Sequence, residues 1–177
     1  MNFRTLKANE ISCRVNQINE KGLTLLLYKD ARVDMDILDE TVGCMNWKKE
    51  YTRDNQNCIV SIYDKEKKEW ISKEDTGTES NSEKEKGLAS DSFKRACVNW
   101  GIGRELYTAP FIWISASDGG VQKDGSGKCR TFEKFYVEAI KYEEKRITHL
   151  SIKNSKGKRV YVLMPKKEVK NEDNKQS

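Results

Sequence analysis

The sequence predicts an α+β protein built on an antiparallel β-β-β-α core, with a β-hairpin before it and a β-meander after it. Two observations lead to the core. Three short strand-like runs, Trp47 to Arg53, Cys58 to Tyr63 and Glu69 to Thr76, are joined by the polar turns Asp54-Asn55-Gln56-Asn57 and Lys65 to Lys68. A helical stretch then follows in which Ala89, Phe93, Ala96, Cys97 and Trp100 recur at spacings of four, three, one and three, drawing one apolar stripe. Consecutive hairpins pair antiparallel, so the helix has to lay that stripe on one face of the sheet.

The remaining elements follow in order. Glu10 to Gln17 reads as a strand, with Ile11, Cys13 and Val15 alternating against polar neighbours. Asn19-Glu20-Lys21-Gly22 is a turn whose glycine is expected to supply a positive φ, and Leu23 to Tyr28 is the returning strand. Asp34 is placed as the N-cap of a short helix in which Met35, Leu38 and Val42 face one way and which Gly43 stops. The acids Asp34, Asp36, Asp39 and Glu40 suit metal ligation, but acids at a helix start also stabilise its dipole.

The long helix should begin at Ser82, which forms a capping box with Glu85, and end at Gly101, where a left-handed cap costs least. Arg104 to Tyr107 adds a helical turn that Pro110 breaks, and Phe111 to Ile114 is apolar enough for a buried edge or a subunit contact. Ser115 to Arg130 reads as a flexible loop, and Phe135 to Tyr142, Ile147 to Lys153 and Arg159 to Met164 as strands. The expected organisation is a core of residues 1–114 with its signature unit at 44–103, a loop at 115–130, a basic meander at 131–164 and a disordered tail at 165–177.

Charged residues make up 34% of the chain and hydrophobic residues 36%, so a core forms beneath a strongly ionic surface. No apolar run reaches the length of a membrane span, and no apolar block follows the N-terminus. Five scattered cysteines without a C-x-x-C pattern point to reduced thiols in a cytosolic setting and to core fillers. The net charge of +5 is unevenly spread. Residues 145–170 hold nine Lys or Arg against the single acid Glu168, while residues 1–144 are net −2. That asymmetry suits either a polyanion partner or a solubilising tail.

Catalytic patterns are poorly represented. Gly125-Ser126-Gly127-Lys128 fails the phosphate-loop pattern at Gln122 and Cys129, and Gly101-Ile102-Gly103 lacks the third glycine of a dinucleotide site. The single histidine, His149, leaves nucleophile and multi-His metal sites without partners. Glu79, Asp91 and Glu105 would make a nuclease-like carboxylate cluster if the fold gathered them, but no spacing supports it. No catalytic residue, cofactor or metal is expected.

The run Lys86-Gly87-Leu88-Ala89-Ser90-Asp91-Ser92-Phe93-Lys94-Arg95-Ala96, closed by Trp100-Gly101, resembles the signature helix of the Rad fifty-two family of single-strand annealing proteins. Asp75-Thr76-Gly77-Thr78-Glu79 is similar to the acidic-Gly segment that ends that family's third strand. The resemblance spans roughly Arg32 to Gly103 and is nearest to phage and prophage members. It implies the family's annealing fold and a head-to-tail homo-oligomeric ring. The implied activity is ATP-independent binding of single-stranded DNA and annealing of complementary strands in recombination and repair. It further implies a phage- or prophage-encoded protein of the bacterial cytoplasm, acting beside a host single-strand binding protein or an exonuclease.

Lys94 and Arg95 match the family's Lys-Arg pair, which lines the DNA groove in relatives, and they are the first nucleic-acid-binding candidates. Lys84, Lys86, Arg104, Lys48, Lys49 and Arg32 are further candidates, and Lys65, Lys67 and Lys68 could form a second DNA site at a hairpin tip. A further arginine of longer family patterns is replaced here by Val98, so the groove is less basic than in those relatives or gains its charge from another strand or a neighbour. Val98, Phe111, Ile112 and Trp113 are apolar candidates for an oligomer interface. Trp47, Tyr51, Tyr63 and Trp70 could stack bases or simply pack in the core. The same layout would also serve a monomeric, sequence-independent binder of duplex RNA or DNA.

Overall fold

A computed structural model describes residues 1–78 and 84–164 of the chain, with the backbone alone for residues 84–86. The fold is α+β, and its described strands pair antiparallel. β1 (Ile11–Asn19) and β2 (Gly22–Lys29) form the N-terminal hairpin, and α1 (Ala31–Val42) follows. β3 (Trp47–Thr52), β4 (Asn57–Asp64) and β5 (Glu69–Thr76) make a three-stranded sheet, and α2 (Lys84–Trp100) packs on β4 and β5. A 3-10 turn at Arg104–Thr108 leads to β6 (Ile112–Ser115), then to the short β7 (Gln122–Lys123) and β8 (Cys129–Arg130). The meander is β9 (Phe135–Glu143), β10 (Arg146–Asn154) and β11 (Arg159–Leu163).

The hairpin and the meander belong to one sheet, in the order β11-β10-β9-β1-β2-β6. β9 pairs with β1 across residues 115–130, so the meander continues the sheet of the hairpin. The stretch expected to be a loop contains the β7–β8 ribbon, turned by Asp124, whose Oδ1 accepts from the Ser126 and Lys128 amides. The edge strand β11 comes back beside β6, and Tyr161 Oη donates to the Phe111 carbonyl oxygen at 3.4 Å. Strand twist thus curls the sheet towards a barrel.

The apolar stripe of α2 lies where its periodicity placed it. Phe93, Ala96 and Cys97 are fully buried beside Cys58, Val60 and Ile62 of β4, and Trp100 Nε1 donates to the Val60 carbonyl oxygen at 3.0 Å. Trp47 stacks on Phe93 with ring centroids 6.2 Å apart. The helix ends in a Schellman motif: Gly101 has φ +98°, its amide reaches the Val98 carbonyl, and the Ile102 amide reaches that of Cys97. The Ser82–Glu85 capping box lies outside the described residues, as do residues 165–177.

Gly77 lets β5 run close beside α2. A Cβ there would sit 2.7 Å from the Ser92 nitrogen and 2.8 Å from the Leu88 carbonyl oxygen, both backbone atoms. Gly22 works in the same way, and the positive φ expected of it in its turn is not found. A Cβ there would meet the Ile114 carbonyl oxygen at 2.2 Å, where β6 pairs with β2.

The cap of α1 differs from the sequence expectation. Asp30, not Asp34, is the N-cap, its carboxylate accepting from the Arg32 amide at 2.8 Å. Asp34 is buried within the helix, where both of its carboxylate oxygens accept from Lys29 Nζ at 2.5 Å. Lys29 ends β2 and is itself 5% exposed. Burial pushes the Asp34 carboxyl up to about 6 from its ordinary 3.8, against the downward pull of Lys29 and of nearby Lys94. An acid whose pKa is raised by folding favours the folded state most at low pH. Its contribution falls as pH rises from about 4 through about 6.

Two stability outcomes follow from these contacts. Gly77→Ala pushes β5 off α2 and should lower unfolding stability by about 1–3 kcal/mol in urea titration; an unchanged midpoint would contradict the close approach. Lys29→Ala leaves a buried carboxylate unpaired and should cost about 3–5 kcal/mol at pH 8. The deficit should shrink at pH 5, where Asp34 can take up a proton. An equal deficit at both pH values would show that the two side chains are not coupled.

Candidate nucleic-acid interface

Lys94 and Arg95 are consecutive on α2, immediately after the buried Phe93, so the residue that anchors the helix also fixes where both cations emerge. They line a cleft of about 280 Å³ between α2, the end of β2 and the 3-10 turn. Tyr28 and Lys29 of β2 form one wall, and Val98 and Tyr107 also border it. Gly103, with φ +72°, shapes the floor: a Cβ there would lie 2.2 Å from Lys29 Cε. Only glycine leaves the Lys29 stem a path to Asp34.

The two cations are held differently. Arg95 Nε donates to Asp91 Oδ2 at 2.9 Å, one helical turn back. The same oxygen accepts from the Thr78 amide at 2.9 Å and hydroxyl at 3.1 Å, which ties the acidic-Gly segment to the helix. Burial alone would raise the Asp91 carboxyl, but the hydrogen bonds from Arg95 and Thr78 outweigh it and hold the group below its ordinary value. Asp91 in turn raises the Arg95 pKa. Lys94 makes no ion pair with a described residue, although its charge is felt at buried Asp34. Arg95 is thus the cation that a phosphate would have to share with Asp91.

The other candidates do not all converge on this cleft. Arg104 is exposed, and its Nε and Nη2 donate to the Val98 and Asn99 carbonyl oxygens, so it caps the end of α2. Lys48 and Lys49 lie on opposite faces of β3, and neither borders the Lys94–Arg95 cleft. Lys49 is half-buried with Nζ 4.6 Å from the Phe93 ring centroid, whereas Lys48 is exposed, 5.2 Å from the Trp70 centroid and paired with Glu50. Arg32 is exposed in the first turn of α1 beside Asp30. Lys65, Lys67 and Lys68 are exposed at the β4–β5 turn, and the first two border a separate groove of about 790 Å³ with Tyr63 and Trp100. The side chains of Lys84 and Lys86 lie outside the described residues.

The apolar candidates separate by strand alternation. Ile112 is 1% exposed and buried in the chain's own core, so it has no surface to offer a neighbouring subunit, contrary to expectation. Phe111 is 77% exposed and Trp113 47%. Val98 is half-buried at the cleft. Trp47 and Tyr51 face α2, while Tyr63 and Trp70 form an edge-on pair with centroids 5.4 Å apart on the far side of the sheet.

The groups weighed for catalysis have structural partners. Asp91 is engaged as described, and buried Glu105 accepts from the Leu6 amide at 2.7 Å; Glu79 lies outside the described residues. Burial pushes the Cys58 thiol up to about 11 and raises that of Cys97 as well. His149 sits half-buried in β10 opposite Lys141. Among the described residues no cluster of three or more His, Cys, Asp or Glu could hold a metal ion, and no helix is long and apolar enough to cross a membrane.

Sequence reasoning missed Lys29, Tyr28 and Tyr107, which complete the cleft. Lys29 carried a signal, as the one cation closing the apolar run Leu23 to Tyr28, five residues before an acid. The chain matches no protein-family model, no curated protein and no solved structure.

Proposed function

We propose that the chain binds single-stranded DNA without sequence preference and anneals complementary strands, without nucleotide hydrolysis, as a homo-oligomer. The observation that carries this reading is the adjacent pair Lys94-Arg95, both opening onto one cleft on the helix of a β-β-β-α unit. Cations in such a groove hold phosphates and leave the base edges unread, which is what a strand needs while it is tested against a complement. The Asp75-Thr76-Gly77-Thr78 segment supports the reading, because it packs against that helix and fixes Asp91 beside Arg95. The sequence resemblance to the Rad fifty-two family bears on these same elements.

No covalent step is involved in this activity. The protein neutralises charge and aligns strands, and duplex formation supplies the free energy. In a head-to-tail assembly the clefts of successive subunits would form one cationic track, with Phe111 and Trp113 as the exposed apolar groups available for contact. A phage or prophage recombination role, beside a host single-strand binding protein or an exonuclease, belongs to the same proposal.

The double substitution Lys94→Glu and Arg95→Glu should abolish binding of a fluorescent oligonucleotide at moderate salt. The size of the protein by light scattering should not change. Binding equal to that of the unaltered protein would remove the cleft from the mechanism. A monomeric size for the unaltered protein, with duplex bound as well as single strands, would favour a monomeric duplex-binding module instead.

A further inference from the structure

Tyr28 is the shared wall of two clefts. One is the Lys94–Arg95 cleft, and the other, of about 570 Å³, lies across β1 and is bordered by Lys134, Tyr136 and Lys153. The strand register explains how they join. Tyr28 pairs with Ser12, Ser12 with Tyr136, and Tyr136 with Lys153, so these four residues form one row across β2, β1, β9 and β10. Directly opposed residues share a face. On this face Tyr28 is 42% exposed and Tyr136 46%, with only the small Ser12 between them. Tyr107, 73% exposed, also lines the first cleft.

These rings lie outside the chain's own core and have cations at both ends of the row. Glu133, the acid of the second cleft, is engaged by Ser155 Oγ at 2.6 Å and Lys156 at 3.1 Å. Aromatic rings spaced along a cationic surface are the elements of a single-strand stacking platform, since every base has a π-face. Tyr28 and Tyr136 stand two strand spacings apart, about 10 Å.

We propose that the single strand continues from the Lys94–Arg95 cleft over Tyr28 to Tyr136 and Lys153, with bases stacked on the two tyrosines and phosphates beside the lysines. This path rests on the reading that the chain binds single-stranded DNA. Stacking occupies the faces of the bases and leaves their pairing edges free, so a strand held in this way is still open to its complement. The recognised class is an unpaired strand, because a duplex keeps its base faces covered by its own stack.

The test compares Tyr28→Ala, Tyr136→Ala and the corresponding Phe variants in binding an oligonucleotide that carries 2-aminopurine. Each Ala variant should bind about 5- to 150-fold more weakly, with less quenching of the probe, while the Phe variants stay close to the unaltered protein. The salt dependence should not change, because no phosphate contact is removed. As a check independent of folding, photocrosslinking of a 5-iodouracil strand to the unaltered protein should mark peptides containing Tyr28 and Tyr136.

Crosslinks confined to other peptides would overturn the path. So would folded Ala variants that bind normally while Lys94→Glu with Arg95→Glu does not bind; that result would leave the proposed function standing. No single-strand binding by the unaltered protein would overturn both.

Discussion

Lys29 reaches Asp34, five residues on, through the space left by Gly103, so this buried contact of neighbouring elements is fitted against a distant part of the chain. Lys29 ends β2 of the large sheet, Asp34 lies in α1, and Gly103 directly follows the cap of α2. Buried ion pairs are weak sources of net stability, because desolvation offsets much of the Coulomb attraction. Losing one partner is nevertheless costly, so the pair disfavours any arrangement in which the hairpin and α1 drift apart. The cleft beside Lys94 is built on that junction, and its shape depends on it.

The electrostatics of the cleft are closely balanced. Lys29, Lys94 and Arg95 face Asp34 and Asp91, and two of the three cations already have a carboxylate partner. On the proposed function, such a site would hold a phosphate without trapping it, since Arg95 would exchange one anion for another at little net cost. A protein that has to align strands and then release them needs weak contacts repeated many times, and an oligomer with one cleft per subunit supplies the repetition. The tyrosine row adds a component that salt does not screen, because stacking carries no net charge.

Much of the architecture was legible because short hairpins and a single amphipathic helix leave few alternatives. Phe93, Ala96 and Cys97 show a helical period, and Gly101 marks the helix end with a mechanism of its own. What could not be read is long-range pairing. Nothing in the alternation of Phe135 to Tyr142 says that its neighbour is β1, 124 residues upstream at the Ser12–Tyr136 pair, so the meander looked like a separate unit. The acid run after Asp30 misled for a local reason: both Asp30 and Asp34 are plausible caps, and burial of the second shows only in three dimensions. For the site, the Lys-Arg pair was visible in sequence, whereas Tyr28 and Lys29 reach it through a sheet whose order was not.

The most direct test of the account is the annealing of two complementary labelled oligonucleotides, with neither nucleotide nor divalent metal present, across a salt series. The account predicts that the protein accelerates annealing and that the acceleration fades as salt rises. Parallel binding titrations should fall by about 0.7 in log affinity per log unit of salt for each phosphate neutralised. Strands that are bound but anneal no faster than they do alone would contradict the annealing claim and leave a binding module.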